Sequence, residues 1–417
     1  MSRYLRRHLS RPLTAYLRQF PCVLLLGARQ VGKSTFLSRE LDGWRRVDLE
    51  RPVEAERVAR DAALFVADHP RRVWFDEAQR VPELFTVLRG EIDRVRRPGR
   101  FVLSGSASPS LLRGVSETLS GRVGILELGP LSAAEQAETA PCRFLSGLFG
   151  GRRPATWGRL LLAVDGGQDV RPLWLRGGYP EHVLHLGARG AWRWFDSYVR
   201  TLSERDLSAI SGALTPVALA RLLRMLAARH GQPVNVSQLA RDFGANVRTI
   251  AGYLDALEGS FLWRRLPAYR ANVGKRLTSA PRGYIVDSGL LHYLLDIVSL
   301  DGLSTNPVLG ASWEGWVTEQ LWRQAALMEP RPRFYYWRTQ AGAEVDLVLE
   351  LGGRLVPIEI KHAAEVRSME LRGLKQFLAD FAKLAPWGVV LYRGNEVRRI
   401  EPRIWLVPVH AACLGGE

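Results

Sequence analysis

The spacing of apolar positions changes character three times along the chain. Through residue 130, short apolar runs alternate with stretches of helical period. Strands are predicted at Cys22–Leu26, 46–49, 73–76, 101–104 and 123–128, with a helix over 2–19 before the first and another from Lys33 after it. Apolar strands separated by helices predict a parallel sheet covered by helices. Residues 140–172, rich in Gly, Pro and Arg, read as a loop or insertion. Helices are expected over 188–207 and 216–229. The stretch 236–258 reads as two short helices about a turn at Gly244 and Ala245, followed by a wing hairpin over 261–270. Beyond Arg282 the pattern becomes a helix (313–326), three strands (333–338, 344–350, 354–361), a helix (366–380) and a strand (388–392).

A length of 417 residues suits two to four domains. The longest apolar runs, such as 23–26, are far too short to cross a bilayer, and no apolar segment follows the basic N-terminus. Cys22, Cys142 and Cys413 are isolated and form neither a zinc pattern nor a disulfide framework. These features predict a cytoplasmic protein with no membrane partner. The net charge of +16 favours a polyanionic partner, nucleic acid first. Eleven Lys/Arg against three Asp/Glu fall between Leu219 and Arg282, so half of the net charge sits there. Only Lys33, Lys275, Lys361, Lys375 and Lys383 are lysine. In so arginine-rich a chain, a lysine marks a place where a compact point charge is needed.

Gly27-Ala28-Arg29-Gln30-Val31-Gly32-Lys33-Ser34 matches G-x-x-x-x-G-K-[ST] in full, between a predicted strand and a helix. Glycines let backbone N–H groups turn inward around phosphates, and the helix start adds its dipole. Lys33 is expected on the β- and γ-phosphates of ATP and the Ser34 hydroxyl on Mg²⁺, with Thr35 closing the phosphate loop. About 40 residues on, Val73-Trp74-Phe75-Asp76-Glu77 supplies Asp76 for Mg²⁺ and Glu77 to orient and deprotonate the attacking water. Ser104 or Ser106, at the end of another strand, is a candidate γ-phosphate sensor. Arg113, Arg122 and Arg205 are candidates for an arginine finger on a neighbouring subunit's γ-phosphate.

A second constellation lies near the C-terminus. Asp346 and Glu359-Ile360-Lys361 fall on adjacent predicted strands, and the period of two turns Glu359 and Lys361 to one face. Asp346 and Glu359 can hold a hard cation such as Mg²⁺, Lys361 can act beside a scissile phosphate, and Glu314 can add a carboxylate. Between these centres, 236–250 has helix–turn–helix spacing. Ser237 is the expected N-cap, Leu239 and Ala240 face inward, and Asn246, Arg248 and Thr249 face a groove or phosphates. Arg264, Arg265, Arg270, Lys275 and Arg276 would line the wing.

Together these residues resemble prokaryotic AAA-type ATPases with a C-terminal PD-(D/E)xK nuclease-like domain, the archaeal and bacterial junction ATPases. The resemblance covers nearly the whole chain. It rests on 27–34, Phe75 to Pro82, Leu103 to Ser106, Leu119 to Arg122, Gly177 to Glu181, Glu204 to Leu207, Val286 to Leu290 and 344–361. It implies an α/β chain in four parts: a P-loop AAA-type core with a parallel sheet (1–130), a helical lid with an insertion (131–215), a winged helix-turn-helix (216–282) and a restriction-endonuclease-like α/β domain (283–417). It further implies a ring-like homo-oligomer, a hexamer among its forms, acting on branched or ended DNA. Glu314, Asp346, Glu359 and Lys361 are all present, so loss of nuclease chemistry is not assumed. The leading expectation is an ATP-hydrolysing DNA-binding protein with Mg²⁺-dependent cleavage as an added activity. The alternatives are a nucleotide-switched regulatory ATPase with a protein partner and a non-catalytic C-terminal domain, and a nuclease gated by its ATPase.

Overall fold

Strands β1 (Cys22–Leu26), β3 (Val73–Asp76) and β4 (Phe101–Ser104) are buried along their whole length, which is what apolar runs become inside a sheet covered on both faces. Arginine-bearing β2 (Arg45–Asp48) and alternating β5 (Val123–Glu127) take the edges. The order is β2-β3-β4-β1-β5, all parallel, with Asp76 level with Ser104 and Leu25 level with Ser104. Parallel strands end on one edge of a sheet. The loop after β1, Asp76 and Ser104 therefore meet at that edge.

The computed structural model describes residues 3–105, 115, 117–150, 169–202, 215–270 and 280–415. The first helix is Ser10–Gln19, shorter than the expected 2–19. In the middle of the chain, Pro216–Ala227, Val236–Phe243 and Val247–Gly259 are helices. Gly244 closes the second of these at φ +80°, a left-handed cap that suits glycine. Its N-cap is Asn235, whose side chain accepts from the Gln238 N–H at 2.9 Å, and not Ser237 as expected. The hairpin expected within 261–270 is closed from further along the chain. β6 (Trp263–Leu266) pairs antiparallel with β7 (Arg282–Ile285).

The C-terminal part is built on a six-stranded mixed sheet with order β12-β13-β11-β10-β9-β8. Its strands are β8 (Arg333–Arg338), β9 (Glu344–Leu351), β10 (Arg354–Ile360), β11 (Gly388–Tyr392), β12 (Arg398–Glu401) and β13 (Ile404–Pro408). β8, β9 and β10 are antiparallel neighbours, whereas β10, β11 and β13 run parallel. The helix Leu309–Ala325 packs on this sheet through Trp313, Trp316, Val317 and Leu321, all in one buried apolar cluster with Leu347, Ile358 and Val389. The β6 strand continues onto the sheet's edge, where Tyr269 N–H donates to the Tyr336 carbonyl at 2.6 Å and Tyr336 N–H to Pro267 at 3.0 Å. Among the described residues no helix is long and apolar enough to cross a membrane.

Candidate functional sites

The nucleotide loop leaves fully buried β1 and enters the helix Lys33–Glu40. Gly27 is required by crowding, because a Cβ there would collide with the Leu128 carbonyl oxygen. Gly32 sits at φ +89° and Gln30 at φ +59°, a left-handed pair that turns the chain back on itself. Gly32 is the helix N-cap and offers no side-chain bond, and a helix start of this kind suits an anion. Ala28 and Val31 anchor the loop in the core, Tyr198 donates to the Arg29 carbonyl at 3.3 Å, and Thr35 is exposed on the first turn. The buried Lys33 ammonium donates to the carbonyls of Gly27 and Ala28, each at 2.9 Å. Phosphate oxygens can replace both contacts without the lysine leaving its place.

Asp76 faces this loop across β4. Ser104 Oγ donates to its Oδ1 at 2.6 Å, and Arg46 Nη2, from β2, donates to its Oδ2 at 2.8 Å. Trp74 Nε1 donates to Ser104 Oγ at 2.6 Å, so the hydroxyl is fixed between indole and carboxylate. Ser104 thus positions Asp76 at the end of β3. Glu77 holds a left-handed backbone (φ +56°) just past the strand, and Gln79 Nε2 donates to its Oε2. Strain of that kind is common where a side chain must be aimed. With Ser34 on the helix start, Asp76 gives the hydroxyl-plus-carboxylate pair that suits Mg²⁺.

Arg122 lies elsewhere. It precedes β5, and Val123 is level with Cys22, which puts it at the opposite edge of the sheet from the phosphate loop. Its guanidinium holds Asp93 through two bonds of 2.6 and 2.9 Å. Ser106, Arg113 and Arg205 lie outside the described residues. Two arginines that sequence reasoning missed lie at the nucleotide loop and Asp76. Arg46 reaches Asp76, and buried Arg7 donates to the Val31 carbonyl at 2.9 Å while pairing with Glu135 at 3.2 Å. Arg46 had a legible signal, since it lies on the strand beside β3; Arg7 had none.

The C-terminal carboxylates do assemble. The β9–β10 ladder runs to Ile358 opposite Leu347, which sets Glu359 beside Asp346. The Ile360 N–H donates to Asp346 Oδ2 at 2.8 Å, and Lys361 Nζ donates to Glu359 Oε1 at 2.7 Å. Glu359 Oε2 is buried without a hydrogen-bond partner. Such an orphaned oxygen beside a second carboxylate fits a divalent cation held by Asp346 and Glu359. Among the described residues, no group of three or more His, Cys, Asp or Glu is arranged around one ion position. Glu314 instead accepts from Arg282 Nη1 (2.9 Å) and the Tyr284 hydroxyl (2.5 Å). Burial, then the Asp346 charge, pushes the Glu314 carboxyl up to about 7 and the Glu359 carboxyl up to about 8. Burial raises Asp346 as well.

Over 235–270, several residues expected to face DNA have partners within the chain. Asn246 caps its helix by accepting from the Thr249 N–H at 2.7 Å. Arg264 is buried between Glu319 (2.6 Å) and Glu127 (3.1 Å), and Arg265 pairs with Asp255 and with Glu258 (2.6 Å). Carboxylates of the same chain thus pair with both of these β6 arginines. Lys275 and Arg276 lie outside the described residues. Gly177 and Gly178 also act structurally, with the Gly178 N–H donating to Asp287 Oδ2 at 2.8 Å.

Residues 19–137 match the family model described as an AAA domain. Residues 167–301 and 309–412 match two domains of unknown function, DUF8612 and DUF4143. Over 99% of its length the chain is 40% identical to the uncharacterized protein Rv2008c of Mycobacterium tuberculosis and to the uncharacterized protein Mb2031c of Mycobacterium bovis, spanning 85% of each. A Walker-type ATPase of Pyrococcus abyssi is a more distant likeness, at 17% identity and a TM-score of 0.40 over 70% of this chain and 95% of that one. The chain thus belongs to the family of the two mycobacterial proteins, with an AAA-type P-loop ATPase domain at its N-terminal end.

Proposed function

We propose that the protein hydrolyses ATP to drive its action on DNA, with a second, metal-binding centre in its C-terminal part that serves DNA cleavage. The observation that carries the reading is the meeting of Asp346, Glu359 and Lys361 at the end of one ladder, with Glu359 Oε2 left without a partner, in a chain of charge +16. Two carboxylates can hold a divalent cation, and an ammonium beside them can act on a phosphodiester bound there.

At the first centre, Lys33 exchanges the Gly27 and Ala28 carbonyls for β- and γ-phosphate oxygens. Ser34 and Asp76 would hold Mg²⁺, which would neutralise charge on the phosphates when bound. Asp76 stays aimed because Ser104 and Trp74 fix it. Glu77 orients the attacking water and accepts its proton. An arginine of a neighbouring subunit, Arg122 or Arg205, completes the charge compensation in a homo-oligomeric ring. Turnover of ATP measured with branched, ended and closed duplex DNA at two salt concentrations tests the reading. Stimulation by branched or ended DNA that fades as salt rises is expected, and turnover indifferent to every DNA overturns it.

A second reading rests on Arg264, Arg265 and Asn246, which are taken up by intramolecular partners. In it, the nucleotide state switches a protein-binding surface and the C-terminal centre is non-catalytic. Turnover then ignores DNA while ATP changes the oligomeric state.

A further inference from the structure

Arg282 does not belong to the C-terminal sheet, yet it reaches into that sheet's acidic centre. It opens β7, the strand paired with β6, and the strands that carry Asp346 and Glu359 are β9 and β10. Its Nη1 lies 2.9 Å from Glu314 and 4.0 Å from Asp346 Oδ1, and its Nη2 pairs with Glu344. The Tyr336 ring covers it at 4.9 Å, and its side chain is 7% exposed. Burial pulls the guanidinium toward neutrality, but Glu314, Tyr284 and Asp346 more than offset this and keep it charged.

We propose that Arg282 is a gate: a guanidinium delivered from β7 that holds the carboxylates of the C-terminal centre closed against a divalent cation until the strand withdraws. The proposal rests on the reading of Asp346 and Glu359 as metal ligands. Three observations support it. First, Arg282 takes up Glu314, the carboxylate that would otherwise complete the ligand set. Second, a buried guanidinium and a divalent cation sharing Asp346 repel each other in a medium with little water to screen them. Third, the closed arrangement leaves both Arg282 Nε and Glu359 Oε2 buried without partners. Native interiors seldom tolerate that unless a further state uses those atoms.

The opening movement has a natural carrier. β7 is tied to β6 by a four-residue ladder, and β6 lies in the same middle region as the helix pair Val236–Phe243 and Val247–Gly259. The module is tied to the sheet by the Tyr269–Tyr336 and Tyr336–Pro267 bonds, so a ligand that breaks these and shifts it draws Arg282 out, releases Glu314 and admits the cation. Arg282 is a regulatory residue here and contacts no reacting atom.

The experiment is Mn²⁺ binding to full-length, nucleotide-free protein, followed by the loss of the free-ion electron paramagnetic resonance signal. The proteins are wild type, Arg282→Met, Glu344→Gln, Asp346→Asn and the Arg282→Met/Asp346→Asn double variant. Arg282→Met is expected to tighten binding about tenfold or more, the scale on which groups around a metal centre act. The gain should vanish in the double variant. Glu344→Gln removes one anchor of the guanidinium and no proposed ligand, and a smaller gain is expected. It serves where Arg282→Met fails to fold. Wild-type binding that is lost in Asp346→Asn but unchanged in both Arg282→Met and Glu344→Gln overturns the gate and leaves the metal centre standing. Binding that Asp346→Asn leaves unaltered in every background overturns the metal centre, and the gate with it.

Discussion

Each of the two acidic centres meets an arginine from another strand, but the two pairings differ in burial. Arg46 at Asp76 is 45% exposed, lies over the Trp74 ring at 4.8 Å and touches Asp76 and Asp48. Arg282 is almost enclosed and is shared by Glu314, Glu344 and Asp346. An exposed guanidinium leaving a carboxylate is taken up by water at little cost. An enclosed one strands several carboxylates. On the proposed reading, the ATP centre can load as it stands, whereas the C-terminal centre needs Arg282 to move first.

The largest expected effect separates the centres by their chemistry. Asp76→Asn should lower ATP turnover about a thousandfold, the scale of losing a charge-stabilising group, and Asp346→Asn should leave it unchanged. A phosphate-release assay of both variants checks this. Loss of turnover in both would mean that the centres act as one.

Stability gives the next contrast. Arg282→Met should destabilise the fold by about 3–5 kcal/mol, because buried carboxylates lose their counter-charge. Arg46→Met should cost about 1 kcal/mol or less. Denaturant unfolding of the two variants measures the gap, and equal costs would erase the distinction.

The pH dependence is smaller and has a definite sign. Glu314 and Glu359 hold their protons more tightly in the folded state, at about 7 and about 8, than a free carboxyl does. The folded protein therefore binds more protons, and stability falls as pH rises. Their contribution is full below the ordinary glutamate value and is gone once pH passes about 8. Glu359→Gln should flatten the decline by on the order of 2 kcal/mol between pH 5 and pH 8.5. Urea midpoints across that range follow it, and an unchanged slope would place the protons elsewhere. The smallest effect belongs to Arg46→Met, which should tighten Mg²⁺-dependent nucleotide binding no more than about threefold because Arg46 already yields to water. A larger gain in a fluorescent-nucleotide titration would make Arg46 a gate too.

What could be read from the sequence was local. β1, the phosphate loop and the end of β3 are runs of contiguous residues whose types dictate their conformation. Asp346, Glu359 and Lys361 were legible because a ladder of two consecutive strands and a period of two bring them together. Arg282 was not, since its importance comes from β7 meeting a sheet formed later in the chain, and one arginine among many carries no mark. The true partner of β6 escaped for the same reason, lying beyond 271–279. β12 and β13 were missed because Arg398–Glu401 is a polar edge and Ile404–Pro408 is short and ends in proline. Asn235 and Ser237 are both good N-caps, and nothing local chooses between them.

Magnesium-dependent ATP turnover by the purified full-length protein, beside its Lys33→Ala variant, is the most direct measurement. Steady phosphate release that needs Mg²⁺ and disappears in the variant is expected. Turnover that survives without the Lys33 ammonium, or a wild-type protein that neither retains nor hydrolyses nucleotide, would contradict the assignment of the 27–34 loop as the energy source.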